Sequence, residues 1–182
     1  ALYAMRAVKE LGIPLKKNVR LILGTDEECG SSDIAVYYKQ EKEAPMTFSP
    51  DAEFPVINVE KGRLPGHFVA SFEKSDAMPK LVKIDAGLKS NVVPGKAKAV
   101  VAGVEDAVLN ETAAAVTKET EVTFTFTGCE EGVLITAEGE GAHASTPEEG
   151  KNALTALLML ITKLPLASCP QMDAVKSLVK LF

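Results

Sequence analysis

Two acidic stretches hold the side chains best suited to chemistry. Residues 24–30 read Gly-Thr-Asp-Glu-Glu-Cys-Gly, and residues 48–55 read Phe-Ser-Pro-Asp-Ala-Glu-Phe-Pro. In an extended stretch neighbouring side chains point apart, so Glu27 and Glu28 could serve two different jobs. One carboxylate could bind a metal, and the other could take the proton from a metal-bound water. A solvated acidic loop is the plainer alternative. Asp51 stands among apolar residues, where a lone carboxylate wants a cation or hydrogen-bond donors. A divalent metal would supply the first, and an Asx-type turn after Pro50 the second.

The elements around them must place these acids. Residues 2–11 carry Leu2, Met5, Val8 and Leu11 at helical spacing, with Gly12 as a stop. The apolar run at 18–23 then reads as a buried parallel strand that delivers Glu27 and Glu28 at its carboxyl end. Ser31 or Ser32 can cap a second helix with Ile34, Tyr37 and Tyr38 inward. Residues 46–48 read as another strand, ending at Asp51. Strands alternating with helices imply an α/β layer.

After about Gly62 the pattern changes. Residues 82–85 and 97–104 read as strands. Residues 105–118 read as a helix with Val108, Thr112, Ala115 and Val116 inward. Residues 121–127 alternate as Val122, Phe124 and Phe126 against Thr123, Thr125 and Thr127, and 133–140 return as the second arm of an antiparallel hairpin. Thr146-Pro147-Glu148-Glu149 has the form of a capping box that opens a helix carrying Leu154, Leu157, Leu158, Ile161 and Leu164. The expected fold class is therefore α/β plus α+β. A partial parallel-sheet domain at 1–62 precedes an antiparallel sheet-and-helix domain at 63–182. The second should hold a core of Val122, Phe124, Phe126, Leu134, Leu154, Leu157 and Ile161.

Composition narrows the function classes. The chain has 182 residues, 46% apolar and 25% charged, with a formal net charge of −5. Disorder and low complexity are out. An acidic balance with no basic face argues against a nucleic-acid partner. No apolar run approaches the roughly 20 residues of a membrane helix. Cys29, Cys129 and Cys169 form neither a disulfide framework nor a paired zinc-finger spacing, so a reducing, cytoplasmic compartment is the default. Both ends fall inside apparent helices: Val175, Leu178, Val179 and Phe182 form a stripe that runs to the last residue. The expectation is an internal piece of a longer protein.

Taken together, the acidic motifs resemble those of the cocatalytic dizinc metallopeptidases of the aminoacylase/carboxypeptidase superfamily. The resemblance is greatest to the PepV-type (Xaa-His, carnosinase-like) bacterial dipeptidases. Further matches follow in family order: Glu60-Lys61-Gly62, Ser90-Asn91-Val92-Val93-Pro94, and Gly-Glu-Gly-Ala-His-Ala-Ser-Thr-Pro at 139–147. The resemblance implies that Glu27 is the general base, that Glu28 and Asp51 each bind one of two zinc ions, and that the second domain is a lid. It implies that His143 steadies the substrate carbonyl as it becomes an oxyanion, and that Asn91 contacts a small peptide substrate. Plainer readings make His143 a structural residue before a helix and Asn91 a turn residue. His67 matches no motif.

The family's upstream His-x-Asp, its bridging Asp and its downstream zinc-binding His have no counterpart here. The reading is thus a zinc dipeptidase as the parent protein, with this piece itself inactive and its zinc weak or absent. An N-deacylase of acylated amino acids and a non-catalytic scaffold are the alternatives.

Overall fold

A computed structural model describes residues 1–51, 55–62 and 64–181. The chain divides into two compact units, Ala1–Glu60 and Lys61–Phe182.

The first unit has helix α1 (Leu2–Glu10), a 3₁₀ turn (Glu27–Cys29) and the short helix α2 (Ser32–Tyr37). Gly12 ends α1 as expected. At φ +63° it lets its own amide reach the Lys9 carbonyl at 3.2 Å and the Ile13 amide reach Val8 at 3.1 Å. That pair of bonds satisfies carbonyls a helix end would leave orphaned. The parallel sheet expected here is not observed. Residues 18–23 and 46–48 form no strand, and none of the unit's described residues is buried. Leu23 is 80% exposed and Phe48 83%. An apolar run becomes a strand only when neighbouring strands take its amides and carbonyls, and no described residue does so here.

The second unit is built around four antiparallel strands, β1 (Lys80–Ala86), β2 (Lys96–Ala102), β3 (Thr123–Cys129) and β4 (Gly132–Glu138), in the order β1-β2-β4-β3. Helices α3 (Asp106–Thr120) and α4 (Ala153–Lys163) pack on the sheet, and α5 (Pro170–Val179) packs on α4. The hairpin register pairs Phe124 with Ala137 and Phe126 with Ile135. Ala97, Ala99 and Val101 of β2 therefore share a face with Ile135 and Ala137 of β4 and meet Leu157, Leu160 and Ile161 of α4 in one core.

Three expectations need correction. Leu134 lies outside this core: it pairs with Val100 on the opposite sheet face, while Ile135 is fully buried. Helix α3 turns Leu109, Ala113 and Val116 inward rather than Thr112 and Ala115. The capping box opens only a 3₁₀ turn, Pro147–Glu149, and α4 begins six residues further on. Its cap is Asn152, whose Oδ1 accepts from the Leu154 amide at 3.0 Å and the Thr155 amide at 3.2 Å. Phe182, the end of the expected last stripe, lies outside the described residues.

Candidate active site

Glu27 and Glu28 sit together on the 3₁₀ turn, both exposed. The stretch is not extended, yet the divergence expected of the two side chains survives. A 3₁₀ helix has three residues per turn, so consecutive side chains leave its axis about 120° apart. Two other acids fix this turn. Asp26 Oδ2 accepts from the Ser32 amide at 2.9 Å and from the Ser32 hydroxyl, while the Asp26 carbonyl accepts from the Cys29 and Ser31 amides at 3.1 and 2.8 Å. Asp33 Oδ2 accepts from the Thr25 amide at 2.6 Å, and its Oδ1 accepts from Ile34 at 2.8 Å. The Thr25 amide, more than any other group, holds the Asp33 carboxyl below its usual range. The expected serine caps of α2 are not used; Ser31 is left-handed at φ 55° and Asp26 reaches across in its place. Asp26 and Asp33 were missed as positioning groups. Their spacing around a Gly-Ser-Ser turn was the available signal.

Asp51 is exposed, and residues 52–54 of its motif lie outside the described residues. Among the described residues no three His, Cys, Asp or Glu side chains stand together as ligands to a metal ion. Catalytic zinc sites use three protein ligands, more than the described residues bring together here.

In the second unit the backbone segments that carry Asn91 and His143 are paired. Val92 bridges His143 in antiparallel fashion, with the Val93 amide on Ala142 and the Ala144 amide on Asn91, both at 2.8 Å. Close backbone approach allows this. A Cβ on Gly95 would fall 2.8 Å from the Gly141 amide nitrogen, and one on Gly139 would fall 2.1 Å from the Lys151 carbonyl oxygen. Glu140 and Lys151 form a second bridge at that point. The lysine's ammonium holds Glu121 at 2.7 Å, which lowers the pKa of Glu121 and raises that of Lys151.

The His143 ring is exposed and oriented by its own turn. The Ser145 amide donates to Nδ1 at 3.2 Å, and the Ser145 hydroxyl stands 2.7 Å from the same atom. An Nδ1 that accepts leaves the proton of the neutral ring on Nε2, so the outer nitrogen is a donor. Lys61 Nζ donates to the Ser145 carbonyl. His67 is exposed and away from any motif. Two shallow clefts, about 210 Å³ beside Ser75, Lys80 and Cys169 and about 240 Å³ beside Lys83, Val100 and Leu134, include neither Asn91 nor His143. Among the described residues no helix is long and apolar enough to cross a membrane.

No family model matches the chain. It is 35% identical over 163 residues to a "Beta-Ala-Xaa dipeptidase" of Lactobacillus delbrueckii subsp. lactis, covering 88% of this chain and 34% of the relative. It is 43% identical over 105 residues to a "Putative dipeptidase YtjP" of Bacillus subtilis (strain 168), covering 57% of this chain and 23% of the relative. A "Putative dipeptidase" of Staphylococcus epidermidis (strain ATCC 12228 / FDA PCI 1200) is 33% identical over 173 residues, 91% of this chain and 36% of its own length. The chain thus spans about a quarter to a third of the length of the curated relatives it matches, and each of them is named a dipeptidase.

Proposed function

We propose that this chain is part of a dipeptidase of the dizinc metallopeptidase superfamily, PepV-type, that hydrolyses the single amide bond of small peptides. The observation that carries the reading is the similarity across 88% of the chain to a Beta-Ala-Xaa dipeptidase. The outward Nε2–H of His143, on a segment paired with the one that carries Asn91, supports it chemically.

In this reading the chain's residues divide the work. Glu27 takes the proton of the attacking water as its oxygen bonds to the scissile carbonyl carbon. His143 donates from Nε2 to the carbonyl oxygen as negative charge develops there. The C–N bond then breaks, and Glu27 returns the proton to the leaving amine. Asn91, through its amide, contacts the peptide. The cofactor proposed is zinc. Glu28 and Asp51 each contribute one carboxylate, and the remaining ligands come from sequence beyond this chain. A cytoplasmic location is proposed with it; among the described residues all three cysteines are free thiols.

The test is hydrolysis by the full-length protein that contains this chain. β-Alanyl dipeptides, ordinary dipeptides and N-acyl amino acids are offered in parallel, before and after chelation. Cleavage of the dipeptides, lost with the metal, is the expected result. Cleavage confined to N-acyl amino acids would replace the reading with a deacylase.

A further inference from the structure

His143 works as a donor only if its ring is held with Nε2 outward, yet its turn is exposed. Three kinds of bond hold it. Within the turn, the Thr146 amide returns to the His143 carbonyl at 3.0 Å, and the Ser145 amide donates to Nδ1 at 3.2 Å. Such i to i+3 turns on a surface open readily when nothing else anchors them. From outside the turn, the Ala144 amide is fixed on the Asn91 carbonyl at 2.8 Å, and one further bond reaches the Ser145 peptide itself. Lys61, 84 positions earlier in the chain, donates from Nζ to the Ser145 carbonyl.

That carbonyl is well chosen. It belongs to the same planar peptide unit as the Thr146 amide, and a peptide plane moves as one body. Fixing its oxygen on an ammonium therefore fixes its N–H on the His143 carbonyl. Ser145 is then restrained on both sides, and its own amide and hydroxyl stay against the ring. A charge-assisted bond of this kind is roughly twice as strong as a neutral one.

We propose that Lys61 is a positioning residue for His143: by holding the Ser145 carbonyl it holds the turn that keeps the imidazole in its Nε2–H form, facing outward. This rests on the dipeptidase reading only for what the ring then does. Lys61 touches neither the ring nor the proposed reacting atoms.

The chain's two histidines make the test direct. Imidazole nitrogen shifts are recorded at alkaline pH on the 182-residue chain labelled with ¹⁵N-histidine, with His67 as internal reference. Wild type should show His143 dominantly as the Nε2–H tautomer. Lys61→Met should mix the His143 tautomers and leave His67 and the dispersion of the sheet amides unchanged. Lys61→Arg should restore the wild-type ratio. In the full-length protein Lys61→Met should lower kcat by about tenfold to a hundredfold with little change in KM, the scale of a group misplaced by about 1 Å.

An unchanged His143 signal in Lys61→Met would overturn the proposal. So would loss of dispersion throughout the sheet, because the role would then be structural. If the ring responds as expected while the full-length protein cleaves no dipeptide, the dipeptidase reading fails and the positioning role stands.

Discussion

The two candidate catalytic turns, one in each unit, are supported in opposite ways. The turn bearing Glu27 and Glu28 stands in a unit with no buried described residue, and side-chain carboxylates shape it, Asp26 on Ser32 and Asp33 on Thr25. The turn bearing His143 is tied by two backbone bridges to a unit whose core includes Ile135, Leu157 and Ile161, all fully buried. One site is held by local hydrogen bonds, and the other rests on burial. Local bonds set geometry but contribute about 1 kcal/mol each, whereas a buried leucine contributes several. Chemistry should therefore be most sensitive in the first region, and stability in the second.

The sharpest test of the first turn is chemical. In the full-length protein, Glu27→Gln should keep bound zinc and lower kcat by about 10²–10⁴-fold, the usual worth of a general base. Glu28→Gln should lower zinc content as well as rate. Neither change should move the unfolding midpoint much, since both side chains are exposed. Metal analysis, turnover and thermal unfolding on the same samples decide it. Zinc lost from Glu27→Gln and kept by Glu28→Gln would exchange the two roles.

Stability should invert that order. Leu157→Ala removes a fully buried side chain from the α4 face and should cost about 2–5 kcal/mol. Leu23→Ala, at a position 80% exposed, should fall within about 0.5 kcal/mol of wild type. Urea unfolding of both variants measures this. Equal losses would mean that the first unit has a core of its own, and the contrast would collapse.

Legibility in the sequence followed the same divide. The hairpin could be read because Val122, Phe124 and Phe126 alternate with threonines, and period 2 states both strand and face. In β4 three apolar residues run together, Val133-Leu134-Ile135, so alternation gives no phase; only pairing with β3 selects Ile135 for the core. Helix α3 is rich in alanine around position 114, so a neighbouring stripe competed with the observed one. The runs at 18–23 and 46–48 failed as strands for another reason. An apolar run states that burial is wanted, and it cannot supply the partner strand. His143 and Asn91 were legible as motifs. The pairing of their segments was not, because the Val92–His143 bridge joins stretches some fifty residues apart.

A smaller effect probes the seam between backbone and site in the second unit. Gly139→Ala would place a methyl group 2.1 Å from the Lys151 carbonyl, a backbone atom that cannot swing aside. The Glu140–Lys151 bridge must open, at a cost of about 1–3 kcal/mol, the range for overpacking. Faster amide exchange at Glu140 and Lys151, with the β2–β4 pairs still protected, is the expected pattern. Unchanged exchange at both amides would show that the bridge is not what ties the His143 segment to the sheet.

The smallest effect separates the two regions by pH. Asp33 has its pKa lowered, chiefly by the Thr25 amide. A group with a depressed folded value contributes fully above its ordinary value, here 3.8, and loses that contribution as pH falls through the folded one. The contribution of Asp33 to the turn should therefore be lost only in acid. The Glu121–Lys151 pair has two limbs. Glu121 is lowered, so its share disappears in acid. Lys151 is raised from 10.5, so its share is present below that pH and disappears as alkali passes the raised value. An NMR titration should then show the Thr25 amide moving on the acid side alone, and the amides of Glu121 and Lys151 moving on both sides. Asp33→Asn should flatten the Thr25 curve, because a neutral amide oxygen accepts without titrating. A Thr25 amide that still titrates in Asp33→Asn would mean that another carboxylate, with Asp26 the nearest in sequence, governs the turn.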